Sequence, residues 1–300
     1  MSMSQPNALS IDVEDYFHAS ALRIPQSAWH QQEQRANRNT LELLEILART
    51  NVKATFFVLG WVAERQPTLV EAIAAAGHEV ACHGYSHELI YRQSPEVFLE
   101  ESRRAKKMLE SIVGRPIHGY RAASFSIIER STWALDIIAE LGFSYDSSIF
   151  PIYHDRYGIR GARAEPHVLR LSSGRSLVEI PPAVLSLCGL RVPVAGGGYF
   201  RLYPYDFTRW AIRRMNRDGR PAVVYLHPWE IDTGQPEAKV GPFTRFRHYV
   251  NIGKVRKRLQ CLLEDFSFVT MGALAERLRP DGASMAPATL AHGRQPAASG

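Results

Sequence analysis

Residues 52–59 read VKATFFVL, residues 69–76 read LVEAIAAA, and residues 78–82 read HEVAC. The β-branched and aromatic residues of the first and third segments favour buried strands, and the second segment has the length and composition of a helix. Gly77 follows that helix, as glycine often does just past a helix C-terminus. A strand, a helix and a second strand in this order predict two parallel strands joined by a helical crossover.

The same alternation extends along most of the chain. We predict further strands at 8–13, 119–121, 144–145, 221–226 and 266–271, and further helices at 39–50, 97–113, 132–141 and 255–265. About seven such units predict an α/β fold, a distorted (β/α) barrel of parallel strands. Active sites of such barrels lie at the C-terminal ends of the strands.

One barrel domain is predicted over residues 1–279. Residues 150–204 are rich in Pro and Gly, which indicates inserted loops and short strands. Residues 280–300 are mostly Ala, Pro, Gly and Ser, and we predict a disordered tail there.

Composition limits the possible partners. Lys and Arg number 36 against 30 Asp and Glu, a formal net charge of +6 that is too small to indicate nucleic acid binding. No run reaches the roughly 18 apolar residues that a membrane span needs. Three widely spaced cysteines and no recognisable signal segment predict a cytoplasmic protein. No pattern in the sequence indicates the oligomeric state.

The strongest chemical signal is the pair His83 and His87, directly after the predicted strand 78–82. On a helical turn, residues four apart share a face, so both imidazoles could reach one cation. A chance pair of surface histidines is the alternative.

Three carboxylates end the first strand: Asp12, Glu14 and Asp15. Strand alternation puts Asp12 and Glu14 on one face, so that one could join the histidines as a metal ligand while the other acts as a base. Asp15 faces the other way unless the strand bends. Acids that merely cap a helix are the alternative interpretation.

Two further polar residues follow predicted strands. Arg121 could lower the pKa of Asp12 and orient it, and His227 could protonate a leaving amine. A histidine with satisfied hydrogen bonds at a barrel rim is the alternative for His227. An acid within 229–232 could orient that histidine. Aromatic residues beside these motifs, including Phe125, Phe150 and Trp229, suit sugar rings or a protein core.

Seven phrases carry a resemblance to a known family: SIDVEDYFH (10–18), HGYSHE (83–88), GYRAASFSI (119–127), YDSSIFP (145–151), GGGYFR (196–201), YLHPWEID (225–232) and RHYVN (247–251). Over about residues 8–279 the chain resembles the NodB-type polysaccharide deacetylases, carbohydrate esterase family 4. Within that family it resembles the members encoded with exosortase and exopolysaccharide gene clusters.

The resemblance implies that Asp12 is the general base, oriented by Arg121, and that His227 is the general acid. It implies that His83 and His87 bind a divalent metal, usually zinc, with cobalt, nickel or manganese as alternatives. The third ligand is Glu14 or Asp15. The substrate would be an N-acetylated polysaccharide or oligosaccharide.

Three positions depart from the family pattern. Ala123 replaces the usual Pro two residues after the arginine, which leaves the backbone that aims the Ser124 N–H at an oxyanion less rigidly set. Ile149 replaces a second acid, and Gly84 replaces Ser or Thr. Ala123 and Ile149 keep open a second function, carbohydrate binding with little catalysis. A third stays open because the resemblance extends to enzymes of the same fold that act on ureido and imide compounds: hydrolysis of a small cytosolic compound of that kind.

Overall fold

A computed structural model describes residues 6–154, 157–187, 189–194 and 196–278. The predicted tail 280–300 lies outside these residues. Among the described residues, no helix has both the length and the apolar character needed to cross a bilayer.

The strands are β1 (Asn7–Val13), β2 (Thr55–Val58), β3 (Glu79–Cys82), β4 (Gly119–Tyr120), β5 (Tyr145–Asp146), β6 (His167–Arg170), β7 (Ser176–Glu179), β8 (Val184–Leu187), β9 (Leu190–Pro193), β10 (Val223–Leu226) and β11 (Phe268–Val269). Most of them form one curled sheet, in which the strand order is β10-β1-β2-β3-β4-β5-β7-β6 and β11 pairs with the start of β1. All neighbours in this order pair in parallel except β6 and β7, which are antiparallel. The predicted barrel of parallel strands is thereby confirmed as a curled, half-barrel sheet.

Several helices pack against the strands or against one another and bury one apolar face there. In α4 (Pro95–Val113), for example, Phe98, Ala105 and Leu109 are fully buried, whereas much of the opposite face is exposed. The helices are α1 (Ala36–Arg49), α2 (Gly60–Arg65), α3 (Pro67–Ala75), α4 (Pro95–Val113), α5 (Trp133–Glu140), α6 (Gly197–Leu202), α7 (Tyr205–Arg217), α8 (Pro242–Tyr249), α9 (Val255–Asp265) and α10 (Met271–Glu276).

The stretch 150–204 contains short strands joined by loops, as predicted, but not all of them are separate from the barrel sheet. Its strand β7 is an integral part of the main sheet, parallel to β5, and β6 forms the antiparallel edge. β8 and β9 form a separate hairpin. Just before this hairpin, the Ala183 N–H donates to the carbonyl of Val223 on β10 at 3.0 Å, so the curled sheet almost closes.

β1 is the second strand from the β10 end of the sheet and is buried along its whole length. It pairs with β10 on one side and β2 on the other. The carboxyl ends of these parallel strands meet at one edge of the sheet, and the segments that follow β1, β3, β4 and β10 carry the polar residues singled out in the sequence.

Candidate active site

Three buried side chains offer ligand atoms to a single point. Glu14 follows β1, and His83 and His87 follow β3; one ligand atom from each lies within 4.8 Å of the others. Two imidazoles and one carboxylate are a common donor set for a catalytic divalent cation. The structure therefore brings together the two predicted histidines and one of the two carboxylates proposed as the third ligand.

The histidines do not lie on a helical turn, contrary to the expectation from their spacing. Residues 83–87 form a loop in which Gly84 and His87 have φ of 73° and 54°. This left-handed conformation is costly for a residue with a side chain. The bend, rather than helical periodicity, turns the second imidazole back toward the first.

Hydrogen bonds prepare His83 to act as a ligand. Its Nδ1 lies 2.8 Å from the carbonyl oxygen of Arg121, so Nδ1 carries the hydrogen and the Nε2 lone pair is available. Burial also lowers the pKa of His83 to about 4, which keeps the imidazole neutral at pH 7. A neutral imidazole is the form that binds metals.

The Glu14 carboxylate fits a cation equally well. Its Oε1 accepts a hydrogen bond from Trp229 Nε1 at 3.2 Å, whereas its Oε2 has no hydrogen-bond partner. This Oε2 lies 2.7 Å from His87 Nε2, but in a geometry that forms no hydrogen bond. Burial opposes ionisation, yet the nearby His87, His227 and His83 hold the pKa of Glu14 well below its usual value. An unpartnered buried oxygen beside two imidazoles is what a cation would satisfy.

Asp15 points away from this group. Its Oδ1 accepts the Arg35 N–H at 2.8 Å, and its own N–H donates to His18 Nδ1 at 2.8 Å. Burial raises the pKa of the Asp15 carboxyl to about 7. The strand alternation that separated Asp15 from Asp12 and Glu14 thus holds in the structure.

Asp12 is paired with Arg121, as the sequence suggested. Arg121 is completely buried, and its Nη1 donates to Asp12 Oδ1 at 2.7 Å. The guanidinium also donates to Ser10 Oγ, Ser147 Oγ and the Ser147 carbonyl. This fixed cation holds one oxygen of Asp12, and the other, Oδ2, lies 3.8 Å from His227 Nε2.

His227 completes the group and has its own carboxylate. Its Nδ1 lies 2.6 Å from Glu230 Oε1, and Glu230 in turn pairs with Arg201. Burial lowers the pKa of His227, but the hydrogen bond to Glu230 and the charges of Glu14, Glu230 and Asp12 outweigh it and raise that pKa to about 9. Asp232, the other acid of this segment, instead accepts from Arg35, Arg38 and Asn39.

A cavity of about 410 Å³ opens onto these residues. Ser124, Phe125 and Trp229, all predicted to bind substrate, lie in its wall. Phe150, also predicted, does not line it: the ring is completely buried and packs edge-to-face on Phe125, with centroids 5.2 Å apart. Of the two alternatives for this aromatic residue, contact with a sugar ring or a place in the protein core, Phe150 takes the second.

The backbone after Arg121 is unusual. Ser124 and Phe125 both have left-handed φ, 51° and 53°, in the segment where Ala123 stands in place of the family's proline. Polar contacts hold this bend: Ser148 Oγ accepts the Ala122 N–H at 2.8 Å, and the Ser124 and Ser20 hydroxyls lie 3.0 Å apart.

Sequence reasoning missed several residues of the site. Arg201, Tyr225 and His248 line the cavity, and His248 stacks on Trp229 with ring centroids 4.3 Å apart. Each lies within a phrase that resembles the family, but nothing in its spacing distinguishes it from a core or surface residue. Their place in the cavity wall becomes visible only in the tertiary structure, where α6, β10 and α8 lie close together around the carboxyl ends of the strands.

The fold and this site define an α/β barrel protein with a candidate metal centre at the carboxyl ends of its strands. Residues 28–145 match the family model described as polysaccharide deacetylase, and residues 147–276 match a domain of unknown function, DUF3473. Residues 28–145 therefore carry a polysaccharide deacetylase domain of the NodB type. His83, His87 and Arg121 lie in the first matched region and His227 in the second. The main sheet runs through both regions.

Curated relatives match part of the chain as well. A chitooligosaccharide deacetylase of Bradyrhizobium sp. (strain ANU 289) is 31% identical over 100 residues, which are 33% of this chain and 43% of the relative. A peptidoglycan-N-acetylglucosamine deacetylase of Bacillus cereus is 29% identical over 123 residues, which are 36% of this chain and 44% of the relative. The chain thus spans less than half of the length of these relatives.

Two solved structures are similar in fold. A Mycobacterium smegmatis protein assigned to the polysaccharide deacetylases has a TM-score of 0.61 and 22% identity, with 98% of each chain covered. The Puue allantoinase has a TM-score of 0.59 and 13% identity, with 90% of this chain and 89% of that chain covered. At these identities the likeness concerns the fold alone.

Proposed function

We propose that this protein is a metal-dependent N-deacetylase, which hydrolyses the acetamido group of an N-acetylated polysaccharide or oligosaccharide. The observation that carries the proposal is the buried group Glu14, His83 and His87, with Asp12 and His227 beside it. One carboxylate and two imidazoles suit zinc, and cobalt, nickel or manganese are the other candidates.

When bound, the cation would polarise the acetyl carbonyl and lower the pKa of a water. Asp12, held by Arg121 through Oδ1, accepts the proton of the attacking water at Oδ2. The water oxygen forms a bond to the acetyl carbon, and the bond from that carbon to the sugar nitrogen breaks. His227 Nε2 gives its proton to the departing amine, so that acetate and a free amino sugar result.

Neighbouring groups assist this reaction. Glu230 fixes the His227 ring through Nδ1 and stabilises its charged form. The Ser124 N–H is proposed to donate to the oxyanion, and Phe125 and Trp229 to contact the sugar ring. The resemblance to exopolysaccharide-associated deacetylases supports a role in exopolysaccharide biosynthesis. The cytoplasmic location, the domain bounds 1–279 and the roles of individual residues stay predictions.

Metal content and acetate release of the purified, zinc-loaded protein test the proposal, with a chitooligosaccharide as substrate. We expect bound metal in the wild type and little in His83→Ala and Glu14→Gln. Acetate release should fall in both by more than the roughly 10- to 100-fold that loss of a ligand's hydrogen-bond partner costs. Asp15→Asn is the matched control: it alters a neighbouring buried carboxyl and should retain the metal.

The opposite results are equally informative. Metal retained by His83→Ala would show that the site is assigned wrongly. Hydrolysis of a ureido compound without acetate release from any saccharide would favour the small-molecule reaction. Sugar binding that persists in Asp12→Asn, with no turnover in the wild type, would favour a carbohydrate-binding protein.

A further inference from the structure

The charged residues of the cavity wall are unevenly distributed. Among the residues that line it, the carboxylates are Asp12 and Glu14, both assigned to the reaction centre. Three arginines also line it: Arg23, Arg201 and Arg247. Arg201 is buried and neutralised by Glu230. The wall beyond the reaction centre is therefore positively charged.

Arg23 and Arg247 are exposed, and neither forms an ion pair with any residue that the structure describes. Arg245, two residues before Arg247 on α8, behaves differently. It lies outside the cavity wall, and its guanidinium donates to Glu237 at 3.0 Å. The helix thus has one arginine outside the cavity that is paired with a carboxylate. The arginine at the cavity, Arg247, lies over the Phe243 ring at 5.6 Å from its centroid and has no carboxylate partner among the described residues.

The backbone at Arg23 supports a role for its side chain. Arg23 has φ of 54°, a left-handed conformation that costs about 1 kcal/mol for a residue other than glycine. The preceding residues 19–21 also line the cavity, so the bend lies in the cavity wall itself. Such strain often occurs at segments that contact a ligand.

From these observations we propose that the saccharide substrate is acidic, with an anionic oxygen group close to the N-acetylated sugar that Arg23 and Arg247 bind. This inference rests on the proposed deacetylase function. The planar guanidinium matches a carboxylate or phosphate with two parallel hydrogen bonds. A neutral saccharide would offer no negative charge to either guanidinium. The anionic group is either the carboxylate of an adjoining uronic acid or a phosphate on the sugar.

The test compares kcat/KM for acetate release from three substrates at low ionic strength. These are a disaccharide of N-acetylglucosamine and glucuronic acid, N-acetylglucosamine 1-phosphate, and neutral di-N-acetylchitobiose. We expect the wild type to favour at least one acidic substrate by about 10-fold or more, as two charge-assisted contacts imply. A higher salt concentration should reduce this preference, because exposed charges are screened.

Substitutions test which arginines cause the preference for acidic substrates. Arg23→Gln and Arg247→Gln should each lower the ratio of acidic to neutral kcat/KM by about 5-fold, mainly through a higher KM for the acidic substrate. Arg245→Gln removes a charge from the same helix and should keep the wild-type ratio. Urea midpoints close to that of the wild type would show that the variants fold.

Preference for the uronic acid disaccharide identifies a carboxylate as the anionic group, and preference for the sugar phosphate identifies a phosphate. Equal kcat/KM on all three substrates in an active enzyme would overturn this inference and leave the deacetylase function standing. An equal loss of preference in Arg245→Gln would also overturn it. No acetate from any of the three would refute the deacetylase function, and this inference with it.

Discussion

Replacement of Glu230 by Gln removes one charge from a buried ion pair while leaving the shape of the side chain unchanged. Glu230 is fully buried, Arg201 is 2% exposed, and the two are paired. The Nε of Arg201 has no hydrogen-bond partner, and one Nη donates to the Arg247 carbonyl at 2.9 Å. Glu230 therefore supplies the negative charge that balances the buried Arg201 guanidinium.

We expect Glu230→Gln to lower the free energy of unfolding by about 3 kcal/mol, the lower end of the range for breaking one partner of a buried pair. The Gln side chain keeps an oxygen that can accept the two hydrogen bonds from His227. Most of the lost stability should therefore come from the Arg201 guanidinium, which stays buried without a negative charge beside it. The double variant Arg201→Met, Glu230→Gln removes that cation too and should recover about 2 kcal/mol.

Urea denaturation at pH 7 measures both variants, and acetate release provides a second measurement. His227 loses its carboxylate partner in both, so we expect both to be about 10- to 100-fold slower than the wild type, although their stabilities differ. A loss below 1 kcal/mol in Glu230→Gln would refute the role assigned to the ion pair. So would a double variant that is less stable than the single one.

Two further predictions concern stability. The pKa of His78 is lowered by burial to about 4, so the unfolded chain binds more protons than the native one between about pH 4 and 6.5, and native stability falls as the pH falls through this window. His78→Asn keeps an acceptor for the Ala54 N–H but cannot take up this proton. Between pH 7 and 4.5 its free energy of unfolding, measured by urea denaturation, should therefore fall by about 2 kcal/mol less than that of the wild type. An equal fall in both proteins would contradict this prediction. Gly196 has φ of 122°, and a Cβ there would lie 2.1 Å from the Tyr225 ring, so Gly196→Ala should cost about 1–3 kcal/mol and displace a residue of the cavity wall. If Gly196→Ala had the urea midpoint and the near-ultraviolet circular dichroism of the wild type, the close approach of residue 196 to the Tyr225 ring would be contradicted.

Much of the fold could be predicted from periodicity alone. Helix α9 was predicted at the bounds that it has, and β1 and β3 within one residue. Their apolar faces are set by local spacing, and a parallel sheet follows from the alternation of strands and helices. The short strands within 150–204 were expected, but the place of β7 in the main sheet was not. Whether β7 joins the sheet depends on its pairing with β5, some 30 residues earlier, and local composition does not encode such pairing.

The candidate site, like the fold, has features that local sequence predicts and features that depend on tertiary structure. By itself the sequence determined that Asp12 and Glu14 share a face, because strand alternation is a local property, and it placed polar residues at several strand ends. Only the tertiary structure decided that Glu14 rather than Asp15 lies beside the histidines, that a left-handed bend brings His87 back toward His83, and that Glu230 links His227 to Arg201. Those contacts join segments distant in sequence or depend on loop backbone angles, so they follow from how the strands pack together and not from any single segment.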